Sequence, residues 1–275
     1  MTGQRSKLLF FCLLVSSSLR IPWAMSAQSL PMYAGLEAFP RRMLWPLVGI
    51  YFIGLVLTSI GVSAGSQQAL WPSVLQALGM LLMGIVLLIF IGVFMHMIRL
   101  RGKLPKRVVQ LAPSMEAATH AYQTRISAER NAYGPFVTLV ASAYLWAMLG
   151  GVLLVVDGVT MLIASGPFFA IDAIRHSFAV GFIALLISGI APRMLPGFSG
   201  GKIASPGLVH ATLWFGNIAA LLRVGSLLLS PLLTTVHLVG FSLYSIFFGL
   251  SGPIGLAFAL CLAVNLWPAL WGAKT

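Results

Sequence analysis

The chain has 275 residues, 59% of them hydrophobic and only 8% charged, with a mean hydropathy of +0.97. A soluble domain carries roughly a quarter charged residues, so this composition excludes one and implies a polytopic membrane protein. The formal net charge of +12 is spread between apolar runs rather than gathered into one stripe. It therefore argues against a nucleic-acid surface and for topology signals facing anionic lipid head groups in the bilayer.

The N-terminus admits two readings. Arg5 and Lys7 precede LLFFCLLVSSSL, the pattern of a signal-peptide core with a cleavage site near Ala24 or Ala27. Alternatively, 8–25 is an imperfect membrane span interrupted by Arg20. Cleavage would leave Arg41 and Arg42 outside, against the charge pattern of the loops that follow.

About 20 apolar residues cross a bilayer as a helix. Runs over 43–63, 73–98, 136–163, 172–192, 206–229, 232–250 and 253–271 meet that length. With 8–25 they predict an all-α transmembrane helix bundle of seven or eight spans in a single domain covering 1–275. Pro72, Pro135, Pro206, Pro231 and Pro253 fall at or just before proposed helix starts, where a missing N–H does least harm. Only Ser251 and Gly252 separate the last two spans, which predicts a tight helical hairpin.

Loop charges alternate. The 99–134 loop holds Arg99, Arg101, Lys103, Lys106, Arg107, Arg125 and Arg130, and 193–205 holds Arg193 and Lys202, whereas 64–72 and 164–171 hold neither Lys nor Arg. The positive-inside rule makes the two basic loops cytoplasmic and, with five spans following the first of them, puts the C-terminus outside, although Lys274 opposes this. Within the long loop, SMEAATHAYQTRISAERN (114–131) reads as a polar helix lying along the cytoplasmic surface.

Span direction and a rise of about 1.5 Å per residue give each polar side chain an approximate depth. Asp157, Asp172, Arg175, His176, Arg223 and His237 fall towards the outer face; His96, His210, Arg193 and Lys202 fall towards the inner face. Ionisable groups in membrane spans are costly and mark sites or bundle interiors. His176 and His237 are therefore the candidate pair to ligate one iron, as imidazoles do in b-type haem sites. Arg175 and Arg223 are candidate charge partners for haem propionates, and His210 is a candidate for a second, inner site. Gly181 and Gly189 would admit a neighbouring helix or a flat macrocycle.

Cys12 and Cys261 are far apart in apolar segments, without CxxC or CxxCH, so a zinc site, covalent haem or a disulfide framework is not indicated. No Walker-type loop or HExxH occurs, and GPFFAIDAIRHS carries the Asp and His of a relay without a nucleophile placed beside them by a recognisable turn. A hydrolase is not supported.

The segment RHSFAVGFIALLISGIAPRMLPGFSGGK (175–202) and the stretch Asn217-Ile-Ala-Ala-Leu-Leu-Arg223-Val resemble the NnrS family of bacterial membrane proteins, whose corresponding stretches read HAxTVG…R…LGHTGR and AALLRV. The resemblance covers about 50 residues and corresponds to the C-terminal half of those longer proteins, so the chain resembles an N-terminally truncated homologue. It implies a bacterial inner-membrane protein associated with haem b and copper and linked to nitric oxide metabolism or nitrosative stress. His176 becomes the leading ligand, with Arg193 and Arg223 at the family's basic positions. Where the family turn has histidine, this chain reads Gly197-Phe198-Ser199-Gly200-Gly201, so a ligand at that turn is not carried over. Two other readings stand beside it. One is a transporter or channel-like protein with a polar path near the outer face. The other is a non-catalytic anchor that assembles with other membrane redox subunits.

Overall fold

A computed structural model describes residues 39–64, 70–100, 106–164 and 166–271. The span or signal peptide at 8–25, with Ala24 and Ala27, lies outside the described residues. The elements in chain order are α1 (Arg41–Ala64), α2 (Trp71–Leu100), α3 (Lys106–Leu111), α4 (Met115–Tyr133), α5 (Phe136–Ala164) and α6 (Ile171–His176). A π-helical segment (Ser177–Ala184) follows, then α7 (Leu185–Ser199), α8 (Pro206–Leu228), α9 (Ser230–Leu233), β1 (His237–Leu238), β2 (Phe241–Ser242) and α10 (Leu243–Trp271). Among the described residues the protein is all-α apart from that hairpin of two-residue strands, and six helical runs there are long and apolar enough to cross a membrane. It is a multi-pass membrane protein.

The chain divides into two compact units, one comprising Met1–Phe94 and Trp146–Phe178, the other Met95–Leu145 and Ala179–Thr275. In the first, small residues let antiparallel helices approach closely. A Cβ added at Gly54 of α1 would lie 2.8 Å from the Gly79 carbonyl oxygen of α2. Added at Gly84 of α2 it would lie 2.9 Å from the Gly151 carbonyl oxygen of α5, and at Gly158 of α5 the same distance from that of Ala77 on α2. Lipid offers no hydrophobic incentive for helices to associate, so such backbone-to-backbone contact supplies the packing energy. Phe90, Ile91 and Phe94 on α2 and Leu153 and Leu154 on α5 fill the buried remainder of this unit.

The second unit holds α4, which runs Met115–Tyr133 and so matches the polar helix read from sequence. Ser114 caps it by accepting from the Ala117 amide, and Gly134, with φ of 66°, ends it. Gly189 of α7 packs against Val140 and the Phe136 carbonyl of α5, so its open side is filled by a helix and not by a flat group. A parallel relation holds for α8, where Gly216 meets Phe258 of α10 and Leu185.

Three sequence expectations are corrected here. The helix expected over 172–192 does not end before Arg193; α7 continues through Pro192 and Pro196 to Ser199 and stops at Gly200. Gly200 adopts φ of 70°, a left-handed conformation that glycine enters without penalty. The paired spans 232–250 and 253–271 are replaced by one helix, α10, which carries Pro253 and Pro268 inside it. A helical hairpin at Ser251-Gly252 would leave two helix ends unpaired within apolar surroundings, whereas continuity forfeits only the N–H that Pro253 lacks. Ser251 meanwhile donates to the Phe248 carbonyl at 2.6 Å.

The third correction concerns His237. It lies on β1, exposed, and not in a helix below the membrane surface. Ser230-Pro231 and Thr234-Thr235 break the helical run, and Val239 and Gly240 (φ 51° and 82°) form the two-residue turn. That turn sets His237 opposite Ser242 and Leu238 opposite Phe241, because positive φ at both central residues matches the twist of paired strands.

Candidate functional site around His176

The geometry around His176 starts one helix earlier. Asp157 on α5 is fully buried, and its Oδ1 accepts the backbone amides of Phe168 and Phe169 at 3.0 and 2.8 Å. A carboxylate oxygen is a strong acceptor for two loop amides, and satisfying both fixes the approach to α6. The Ala173 amide then donates to the Ala170 carbonyl at 2.8 Å, closing the first turn of α6. Asp172 stands in that turn, where the positive end of the helix dipole favours an acid.

One turn on, two side chains return to Asp172. Arg175 Nη1 donates to its carboxylate at 3.0 Å, and His176 Nδ1 lies 2.7 Å from its backbone carbonyl oxygen. A carbonyl can only accept, so Nδ1 is the donor of this contact and Nε2 is the ring nitrogen it leaves uncommitted. Histidines that bind metals are commonly oriented this way, with the second ring nitrogen donating to a carbonyl or carboxylate. The ring is half-buried.

Immediately after His176 the helix widens into the π-helical segment Ser177–Ala184. The Ser177 hydroxyl, buried, donates to the Ala173 carbonyl at 2.9 Å across the junction. Phe178 fills the space above Gly150, where an added Cβ would come within 2.7 Å of its ring. Local π-helical turns are uncommon and concentrate at functional sites.

The other sequence-predicted residues are placed as follows. His210, on the second turn of α8, is exposed, as are His96 and His120. His237 belongs to the second unit, and its Nδ1 donates to the Thr235 carbonyl at 3.3 Å. Arg223, also in the second unit, rests with its guanidinium carbon 3.9 Å from the centre of the Phe248 ring. Asp172, Arg175 and His176 are thus brought together on one turn. Among the described residues no three His, Cys, Asp or Glu side chains gather as a metal-binding set.

A second polar centre was not anticipated in full. Arg193, near the end of α7, grips Glu129 of α4 with Nη1 to Oε2 at 3.2 Å and Nη2 to Oε1 at 3.1 Å. The rings of Tyr133 and Phe136 lie 6.0 and 5.2 Å from the same guanidinium. Asn265 of α10 plays a comparable part: its Oδ1 accepts the Ser205 amide and its backbone carbonyl accepts that of Ala204. The sequence signal for both was available, since Glu129 is one of only five acids and Asn265 interrupts an apolar run.

No protein-family model, no curated protein and no solved structure matches this chain.

Proposed function

We propose that this protein is a bacterial inner-membrane redox protein that holds haem b through His176 and takes part in nitric oxide handling or a related nitrosative-stress response. The observation that carries the reading is the His176 ring, whose Nδ1 is committed to the Asp172 carbonyl at 2.7 Å and whose Nε2 is left for a ligand. The π-helical segment that begins at the next residue adds to it. The resemblance of 175–202 to the NnrS pattern supplies the nitric oxide connection.

Haem suits these residues better than a protein-only copper site, because the macrocycle would bring most of the iron's ligands with it and His176 alone would hold the group. Haem so held supplies binding of small diatomic ligands and one-electron chemistry. The chain's own contribution is positional. Asp157 fixes the loop, Asp172 orients the ring, and Arg175 places a guanidinium one residue from the ligand, suited to a propionate carboxylate.

The reading is tested by expressing the protein under haem-replete conditions, purifying it in detergent and recording a reduced-minus-oxidised visible spectrum alongside haem, iron and copper content. A Soret band with stoichiometric haem is expected. Its absence would return the chain to the transporter or anchor-subunit readings.

A further inference from the structure

We propose that Arg223, seated on the Phe248 ring where α8 meets α10, binds the phosphodiester group of a membrane phospholipid. This goes beyond the haem reading and does not rest on it.

Arg223 continues the α8 face formed by Gly216, Ala219 and Ala220, all buried. Gly216 meets Phe258, and an added Cβ at Gly255 would lie 4.0 Å from the Ala219 Cβ. Small residues thus bring α8 and α10 together, and the seam ends where Arg223 replaces them and lies over Phe248. Phe248 in turn stacks on Tyr244, with ring centres 5.5 Å apart and planes 19° from parallel. The guanidinium therefore has a built aromatic platform on one face.

Among the described residues no carboxylate pairs with Arg223, and the sequence contains no Asp or Glu after Asp172. A guanidinium within an apolar span requires an anion or polar partner, and the side chain is half-exposed rather than sealed. A partner from outside the chain fits that requirement.

The position selects a lipid. Arg223 is five residues from Leu228, the end of α8, and Phe248 is five from Leu243, the start of α10, roughly 8 Å from either helix end. An arginine at that depth extends its head towards the phosphate layer while its stem stays in the acyl region. Beyond it, the connection between the two helices exposes Leu232, Val236, Leu238, Val239 and Phe241. Such an apolar hairpin at a helix end lies in the lipid interface and not in water. Planar, forked donors match phosphate oxygens, which lysine engages only as a point charge.

The test is native mass spectrometry of the full chain in mild detergent, titrated with dioleoylphosphatidylglycerol and, separately, with inorganic phosphate. One high-affinity lipid is expected, bound on the order of tenfold more weakly by Arg223→Gln. Arg223→Lys should fall between, and Phe248→Leu, which keeps the charge and loses the platform, should weaken binding by about threefold. If Arg223→Gln does not yield a monodisperse protein, the Phe248→Leu and Arg223→Lys titrations decide, and lipid occupancy equal to wild type in both overturns the proposal. Inorganic phosphate binding as tightly as the lipid overturns the lipid assignment. Loss of bound haem in Arg223→Gln with unchanged lipid occupancy overturns it too, since the guanidinium would then serve a propionate.

Discussion

Arg193 and Glu129, 64 positions apart in the chain, form a two-pronged ion pair at 3.1 and 3.2 Å that ties the surface helix α4 to the end of α7. Their side chains are 17% and 16% exposed, so the pair is partly screened yet too enclosed for either charge to be left alone cheaply. Removing one partner, by Glu129→Gln or Arg193→Gln, should cost about 2 kcal/mol. The double variant should cost less than the sum, which thermal melts in detergent will show as a coupling energy. Arg125, whose side chain is 64% exposed, also reaches Glu129, and Arg125→Ala should change stability by less than about 0.5 kcal/mol.

Asp157 should matter through its acceptor and not only through its charge. Asp157→Ala strands the Phe168 and Phe169 amides and should destabilise the protein by about 2–3 kcal/mol. Asp157→Asn retains a carbonyl oxygen for them and should be milder. Equal losses in the two variants would show that the Oδ1 contacts are not what holds the loop.

The close helix seams of the first unit predict intolerance of bulk. Gly84→Val or Gly158→Val would push against the facing backbone at Gly151 or Ala77 and should cost about 1–3 kcal/mol each. Gly92, which has open space around its Cα, should accept alanine with no loss beyond noise.

Merging the last two expected spans reverses the predicted side of the C-terminus. Among the described residues four helices long and apolar enough to cross a membrane, not five, follow the basic 99–134 loop; the end of α10 is then expected on the side of that loop, where Lys274 agrees with the positive-inside rule. A C-terminal fluorescent-protein fusion should be bright and an alkaline phosphatase fusion inactive. The opposite pair of results would restore two separate spans.

Hydropathy made five of the six long helices legible because burial in lipid constrains every residue of a span. The polar run 114–131 likewise pointed to α4. What composition could not separate was a spanning helix from an apolar hairpin, since Leu238, Val239 and Phe241 satisfy either; the decision lay in the backbone at Val239 and Gly240. Nor could local pattern pair Glu129 with Arg193, which only the packed fold brings together. His176 was visible as an expensive residue in an apolar run, but its ring orientation depends on the Asp172 carbonyl, which carries no signature in the identity of residue 172.

The most direct measurement of the central claim is the reduced-minus-oxidised spectrum of haem-replete wild type beside His176→Ala and His120→Ala, with haem quantified in each. His120 lies exposed on α4 and serves as the control. The account predicts a Soret band in wild type and His120→Ala that is lost or shifted in His176→Ala. Identical spectra in all three, or no haem in any, would contradict it.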